Sequence, residues 1–559
     1  MAHTHWKLLS ENEAPPEFAG VDPLVSKLLY NRGVNSSSEA ETFLKADQRL
    51  AIDPFMLPDM HLAVNRVYKA LFSGEKIAVY GDFDADGITA TALLVQGLSE
   101  MGGDVVPYIP HRIYEGYGLK VAALEKLRKQ GVTLVITVDT GITAFAEIEK
   151  SHRMGMDILV TDHHVPLGEL PSADIIVDPK RADSKSPFIE FAGVGVAFKL
   201  LQALLAGSGR DALMDSSLEL ATLGTITDMS PLLSENRYWV KTGIQLLNRT
   251  ERIGLVELLN CAGIERGKLT AETVSYQIGP RLNSAGRLDD AGTSYQLLVT
   301  QDRAEASKLA IELEQKNRER QRIVAETYDK AHRQIVEDGT DRPILMASDA
   351  DYQAGVMGLV AGRLADEFYR PVVLVKIGID TCRGSARSIQ EFDLMEALKS
   401  CHHLLARYGG HARAAGFNVS TRDLPQLQKK LRTAAEEKLT GLDLRPHINI
   451  DAEVPLSTFS KGVFEEMRLL EPYGMSNPIP VFLSRNVEVV EQKLVGSQND
   501  HIKLKLKQDG IVWDTMGFRL GSSIGELART IDIVYCVEVD TYNGRGQLRL
   551  NLLDFSHSY

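Results

Sequence analysis

"KIAVYGDFDADGITATALLVQGLSEMG", Lys76–Gly102, holds the decision about the fold. Its opening, Lys76–Tyr80, is a short apolar run of the kind that forms a buried strand. Its end, from Ala90, is helix-like. Between them Asp82, Asp84 and Asp86 alternate with single residues and stop at Gly87. The spacing imitates the start of a calcium hand, but that loop needs a glutamate at its twelfth position and a helix before it. Counted from Asp82 the twelfth residue is Leu93, and a strand precedes the loop. Three carboxylates this close repel one another, so something cationic must balance them.

The same pattern recurs downstream. "TLVITV", Thr133–Val138, is followed by "DTG", Asp139–Gly141, and then by the helix-like "AFAEIEKSHRMG". "DILVT", Asp157–Thr161, is followed by "DHH", Asp162–His164. Apolar strands alternating with helices predict a parallel sheet covered on both faces. Ligands of such sheets sit beyond the carboxyl ends of the strands, so these polar groups are expected on one rim. Asp228, in "ELATLGTITDMSPL", is a fourth acidic candidate; periodicity leaves its segment open between helix and strand.

The chain has 559 residues, 44% apolar and 25% charged, as in a globular protein of three or four domains. A net charge of -13 argues against a non-specific polyanion coater. It leaves room for a nucleic-acid enzyme whose acidic site is neutralised by metals. No apolar run approaches a membrane span of ~20 residues, and "MAHTHWKLLSENEAPP" has no export pattern. Cys261, Cys382, Cys401 and Cys536 are scattered, which predicts reduced thiols in a cytoplasmic protein and no thiolate zinc site.

Five regions are expected: an N-terminal segment, 1–50, packing on the catalytic core; a catalytic α/β domain, 51–300; a connector helix, 301–338; a second α/β domain, 339–445; and a small antiparallel β domain, 446–559. The connector, charged and free of proline, would span about 57 Å at ~1.5 Å per residue. In the last region "HIKLKLKQDGIVWDTMGF" alternates strictly around an Asp509–Gly510 hairpin turn.

Asp82, Asp84, Asp86, Asp139, Asp162, His163, His164 and Asp228 exceed the needs of one cation. Carboxylates with one or two imidazoles suit Mn²⁺, or Mg²⁺ with fewer nitrogen ligands. Two such ions ~3.5–4 Å apart activate water and stabilise both oxygens of an in-line phosphoryl displacement. Each aspartate alone reads as a helix cap or turn former. Four such features, each after its own apolar run, read as a metal centre for phosphoester or phosphoanhydride hydrolysis.

"GDFDADG", "VDTGI", "VTDHH" and "GTITDMSPL" resemble the four sequential motifs of the DHH phosphoesterase superfamily. "GPRLNSAGRLDDAG", Gly279–Gly292, is similar to the next motif of its RecJ branch. "GSARSI", Gly384–Ile389, and "GGHARAAGF", Gly409–Phe417, resemble the associated DHHA1 domain. The closing "TYNGRGQLRLNLLDF" resembles an oligonucleotide-binding (OB) barrel. The resemblance implies an α/β architecture: a parallel-sheet DHH domain, a long helix, a second α/β (DHHA1) domain and an OB-like barrel. It also implies a single-strand-specific 5′-to-3′ DNA exonuclease releasing 5′-mononucleotides with two divalent cations, Mn²⁺ or Mg²⁺. Asp84, Asp86, Asp139, His163 and Asp228 would be metal ligands, with Asp139 bridging and Asp82 supporting. His164, Arg281, Asn283 and His411 would serve catalysis at the scissile phosphate; Arg281, Ser385, Arg387 and His411 would hold phosphate. Lys503, Lys505 and Lys507, on one face of a strand, are expected to follow the DNA backbone. A single-strand-binding protein and a RecQ-type helicase are the implied protein partners of a cytoplasmic monomer.

Two positions depart from the family pattern. Thr140 stands where asparagine is usual, and Tyr352–Gln353 where a Trp–His pair is usual. Neither removes a metal ligand. Rival readings are a phosphodiesterase for cyclic dinucleotides or short oligoribonucleotides, which would lack the barrel, and an inactive replication scaffold, which would have lost ligands.

Overall fold

The structure is a computed structural model describing residues 4–9, 16–166, 168–540 and 546–558. Residues 541–545, the first part of the quoted closing stretch, lie outside the described residues.

The catalytic sheet has five strands, all parallel, in the spatial order Asp104–Tyr108, Lys76–Tyr80, Val132–Val138, Asp157–Thr161, Ile175–Val177. Side chains alternate between its two faces. Ile77, Val79, Leu134 and Ile136 pack with helices Ala85–Glu100 and Gly193–Leu205; Ala78, Tyr80 and Val135 pack with helices Val121–Lys129 and Phe145–Arg153. Burial on both faces explains the unbroken apolar runs. From Lys76–Tyr80 the chain goes first to a neighbour on one side, then crosses to Val132–Val138 on the other. That reversal opens a crevice at the carboxyl ends of these two strands, where ligands of such sheets bind. The loops "GDFDADG" and "DTG" flank it. Asp228 is settled as helical: it caps the carboxyl end of helix Asp211–Thr227.

The connector is one helix, Arg303–Asp338, about 54 Å long. It is not a free spacer. Ala310 and Leu313 belong to the catalytic core, while Ala331 and Ile335 belong to the core of the second domain. That domain is a mixed sheet in the order Leu405–His411, Ala414–Ser420, Thr381–Arg387, Val372–Lys376, Leu345–Asp349. The C-terminal barrel closes where Phe482–Val495 pairs with Thr530–Val539. Its strands from Phe482 onward pair antiparallel except at one place, Ile511–Gly517 beside Leu548–His557, which is parallel.

The N-terminal segment, expected on the catalytic core, packs for the most part on the barrel, while its end, from Phe43, meets the catalytic domain. Strand His5–Leu8 pairs in parallel with His447–Ile450. Leu24, Val25, Leu28 and Leu29 of helix Pro23–Asn31 pack into the barrel's core with Leu456, Phe459 and Phe482. The apolar stripe of that helix needs a partner, and the segment that leads into the barrel, Ala452, Leu456, Phe459 and Phe464, supplies it. The catalytic domain is reached through polar bonds. Arg237, fully buried, donates to the carbonyls of Phe43 (2.9 Å), Leu470 (2.8 Å), Leu469 (3.0 Å) and Glu471 (2.9 Å). One guanidinium thus joins three parts of the chain. Arg237→Ala removes all four bonds, leaving only Leu470 O a second donor in Asn477 Nδ2 (2.9 Å), and is expected to lower stability by about 3 kcal/mol or more. Arg237→Lys should recover little of it, because an ammonium lacks the planar fork. Urea unfolding of the three proteins measures this.

Candidate active site

The acidic loop forms because Asp84 does two things. Its side chain caps helix Ala85–Glu100, accepting from the backbone N–H of Asp86 (3.1 Å) and Gly87 (3.2 Å). The cap leaves its second oxygen free and points the positive helix terminus at the cluster. Asp86 lies in the first turn of that helix, buried. Its Oδ2 accepts from Gly193 N (2.7 Å) and its Oδ1 from Val194 N (2.8 Å), so a second helix terminus braces it. Asn283 Oδ1 accepts from Ala85 N (2.9 Å) and steadies the loop from the far side.

Asp139 ends its strand with φ +60, a left-handed conformation uncommon outside glycine. Strain of this kind persists where the surroundings impose it. Here Gly193 presses against it: a Cβ on Gly193 would lie 2.4 Å from Asp139 Cβ. His163 Nε2 is 3.1 Å from Asp139 Oδ1 and 4.0 Å from Asp86 Oδ2, and its Nδ1 is 3.9 Å from Asp228 Oδ2. Asp228 is also held by Ser230 Oγ (2.8 Å). The expected ligands therefore meet at one rim. Three sets of ligand atoms lie within 4.8 Å of one another: Asp82, Asp84, Asp139; Asp86, His163, Asp228; and Asp139, His163, His164.

The electrostatics require a cation. Burial, then the neighbouring carboxylates, pushes Asp82, Asp86 and Asp139 well above the usual carboxylate range. Asp228 is raised to about 6, by burial and then by Asp84. Asp82 Oδ1 is buried without a hydrogen-bond partner. Burial, and then the charge on His164, lowers His163 to about 3, so its ring is neutral. Its Nδ1 lies 2.9 Å from the Phe191 carbonyl, which can only accept, so Nδ1 carries the proton. Nε2 then aims a lone pair at the carboxylate of Asp139. Two acceptors 3.1 Å apart are repulsive alone, and a divalent cation held by both would relieve that repulsion. The residues present fit divalent metal ions.

His164 differs from its neighbour. Burial opposes its charge, but the hydrogen bond to Asp162 Oδ1 (2.8 Å) outweighs this and raises it to about 9. A protonated ring suits an anionic phosphate. Asp162 is fixed by the N–H groups of Ile142, His163 and His164, and is an orienting group, not a ligand. Thr140 is buried beside Tyr117, whose hydroxyl lies 3.3 Å from His164 Nδ1.

Across the cleft, the second domain brings Ser385, Arg387 and His411. A Cβ on Gly358 would sit 2.9 Å from Arg387 Nη2 and 3.3 Å from Ser385 Oγ, so a side chain there would shift the guanidinium from its present place. His411 is lowered by burial and then by the charge on His164, which it faces. Arg281 is occupied instead: Glu314 of the connector holds its Nε (2.7 Å), and its Nη1 donates to Gln277 O (2.7 Å). Tyr352 is core, and Gln353 stands exposed before helix Ala354–Phe368 without capping it. On the barrel, Lys505 is paired with Glu491 (2.9 Å), and Lys507 lies opposite Glu488, so that lysine face carries mixed charge.

The sequence reading passed over two arginines. Arg112 is half-buried with its guanidinium 4.7 Å from the Phe83 ring, and its charge partners are Asp82 and Asp84. Arg287 is lowered to about 9 by burial and then by Arg112 and Arg320. Burial, then Arg112, lowers Arg387 too. These mutually repelling cations beside the carboxylates form a ready anion pocket. Arg112 follows strand Asp104–Tyr108, so the strand-end rule applied to the acidic motifs would have found it. For Arg287 the signal is weaker, because its stretch was read for Arg281 and Asn283.

A parallel sheet whose rim gathers carboxylates and a neutral imidazole, beside an arginine cluster that the second domain completes with Arg387, defines a metal-dependent hydrolase of phosphate esters. The models for the "DHH family, N-terminal domain", the "DHHA1 domain" and the "RecJ OB domain" match residues 76–225, 341–437 and 450–554. The chain belongs to the RecJ family. It is 37% identical over 540 residues to the single-stranded-DNA-specific exonuclease RecJ of Bacillus subtilis, covering 96% of this chain and 68% of that protein. It also matches crystal structures of RecJ from Thermus thermophilus. With the Mn²⁺ complex the TM-score is 0.85 at 30% identity, over 99% of this chain and 80% of that one. With the Mg²⁺ complex it is 0.80 at 28% identity, over 99% and 79%. No helix among the described residues is long and apolar enough to cross a membrane.

Proposed function

We propose that this chain is a single-strand-specific DNA exonuclease that works from the 5′ end, releases 5′-mononucleotides, and serves recombination and repair. The observation that carries the chemistry is the unprotonated Nε2 of His163 facing the Asp139 carboxylate inside a ring of unbalanced acids. Asp84, Asp86, Asp139, His163 and Asp228 would hold two divalent ions, Mn²⁺ or Mg²⁺, with Asp139 shared and Asp82 in support. Such ions supply an activated water and neutralise charge on a phosphodiester. His164, kept protonated and oriented by Asp162, stabilises charge that develops on the phosphate. Arg112, Ser385 and Arg387 hold the terminal phosphate and so set which bond reaches the metals. His411 closes over it from the second domain. Asn283 positions the acidic loop, and Arg281 positions the connector through Glu314.

The barrel extends the strand's footing beyond the cleft, as OB folds do for single strands. Lys503 and Lys507 contribute to it more than the paired Lys505. The same reading makes the protein a cytoplasmic monomer that works with a single-strand-binding protein and a RecQ-type helicase.

Single strands labelled at either end, incubated with Mn²⁺ or Mg²⁺, test the reaction. Early release of label from the 5′ end alone is expected; release from the 3′ end overturns the polarity. Arg387→Ala is expected to raise KM about 10- to 100-fold for 5′-phosphorylated ends and to leave 5′-hydroxyl ends unaffected. Equal changes on both ends would place the phosphate pocket elsewhere.

A further inference from the structure

Asn236 lies in the first turn of helix Ser234–Leu247 and is fully buried. A buried amide costs stability unless it is bonded. Its Nδ2 donates to two carbonyls in different parts of the chain, Glu190 O (2.8 Å) and Pro231 O (3.0 Å). Two acceptors fix which way the amide points. Both carbonyls belong to segments that end on the metal site. The first is Glu190–Val194: Phe191 O holds His163 Nδ1 (2.9 Å), and the N–H groups of Gly193 and Val194 hold the two oxygens of Asp86 (2.7 and 2.8 Å). The second is Asp228–Pro231, in which Ser230 Oγ holds Asp228 (2.8 Å). One side chain thus clamps together the backbone that orients Asp86, His163 and Asp228.

Those three residues make up one of the ligand sets within 4.8 Å. In the set of Asp82, Asp84 and Asp139, two members stand on the acidic loop, which Asn283 steadies instead. We propose that Asn236 is a positioning residue for one of the two ions, the one held by Asp86, His163 and Asp228; this rests on the two-ion reading above. The neighbours of Asn236 grip the first segment too. Glu235 pairs with Lys199 (2.9 Å), both fully buried, on the helix that Gly193 begins. The Trp239 ring, one turn on, lies 5.4 Å from that of Phe191. The start of helix Ser234–Leu247 therefore holds this segment at Glu190, Phe191 and Lys199, and through Asn236 it holds the Asp228 side as well. Groups that orient a metal ligand fix its direction, and losing one costs about 10- to 100-fold in metal affinity.

The test is Asn236→Leu, which keeps the volume and removes both donors, with Asn236→Ala as a second variant that makes no new contact. Mn²⁺ binding is followed by titration calorimetry and by the paramagnetic resonance of free Mn²⁺. The wild type is expected to take up two ions. In the variants one ion should bind about 10- to 100-fold more weakly and the other as before. At low Mn²⁺ kcat should fall by a similar factor and recover at high Mn²⁺, while KM for a 5′-phosphorylated strand stays unchanged. Thr222→Val is the control. Thr222 is also fully buried and bonds the same helix at Trp239 O (3.4 Å), so its loss should weaken neither ion. Two ions bound with wild-type affinity by the Asn236 variants, an equal loss for both ions, or a kcat that Mn²⁺ does not restore would each overturn the role of Asn236. A wild type that binds a single ion would instead remove the two-ion reading itself, before any variant is made.

Discussion

Asp139→Asn is expected to reduce hydrolysis at least about 1,000-fold, some 4 kcal/mol of transition-state stabilisation. Asparagine keeps the side-chain shape and tolerates the left-handed backbone at φ +60, so the change isolates charge. The carboxylate lost is the one facing the His163 lone pair and assigned to both ions. The metal-free variant should also be more stable than the metal-free wild type at neutral pH, since one of several mutually repelling buried carboxylates is gone. Each kcal/mol relieved raises Tm by about 2–4 °C in a domain of this size. Calorimetry in chelator, with end-labelled digestion in Mn²⁺, reads both. A folded variant that still digests single strands at the wild-type rate would end the assignment of Asp139.

Gly193→Ala comes second, and its target is geometry alone. The added methyl would lie 2.4 Å from Asp139 Cβ and 2.8 Å from Asp139 Cα, distances that non-bonded atoms do not hold. Either Asp139 or the start of helix Gly193–Leu205 must move, and the hydrogen bond from Gly193 N to Asp86 goes with it. Displacing a reacting group by about 1 Å costs about 100-fold in rate. A loss of at least that size is expected, with Mn²⁺ affinity falling in parallel, although no charged or polar side chain has changed. Unaltered Mn²⁺ binding by titration calorimetry would show that the contact relaxes without consequence.

The acidic centre was legible in the sequence because each of its parts ends an apolar run, and parallel sheets place such ends together. Asp82, Asp84, Asp86, Asp139 and His163 needed no more than that. Asp228 stood out by its apolar surroundings, but whether it ended a helix or a strand was not legible, because that run fits either period. The connector was legible from charge and the absence of proline, but its packing on both domains was not: Ala310 and Ala331 look alike until their neighbours are known. The N-terminal segment was misplaced for the same reason. An amphipathic helix shows that it needs a partner and does not say which. Arg281 and Lys505 read as free cations because ion pairing with Glu314 and Glu491 depends on packing and register that periodicity does not supply. Arg112 follows a strand run and Arg287 sits within the Gly279–Gly292 motif, yet the excess of positive charge they form with Arg387 depends on packing that neither signal supplies.

The pairing of His5–Leu8 with His447–Ile450 has a consequence for how the protein is made. A ribosome adding about 5–20 residues per second delivers the second of these strands roughly 20 to 90 seconds after the first. Through that interval the two leading helices have nothing to cover Leu24, Leu28 and Leu29, which settle only when the barrel exists. The front of the chain is thus the last part to reach its place. Holdase chaperones should find their target there, on nascent chains stalled before the barrel has emerged.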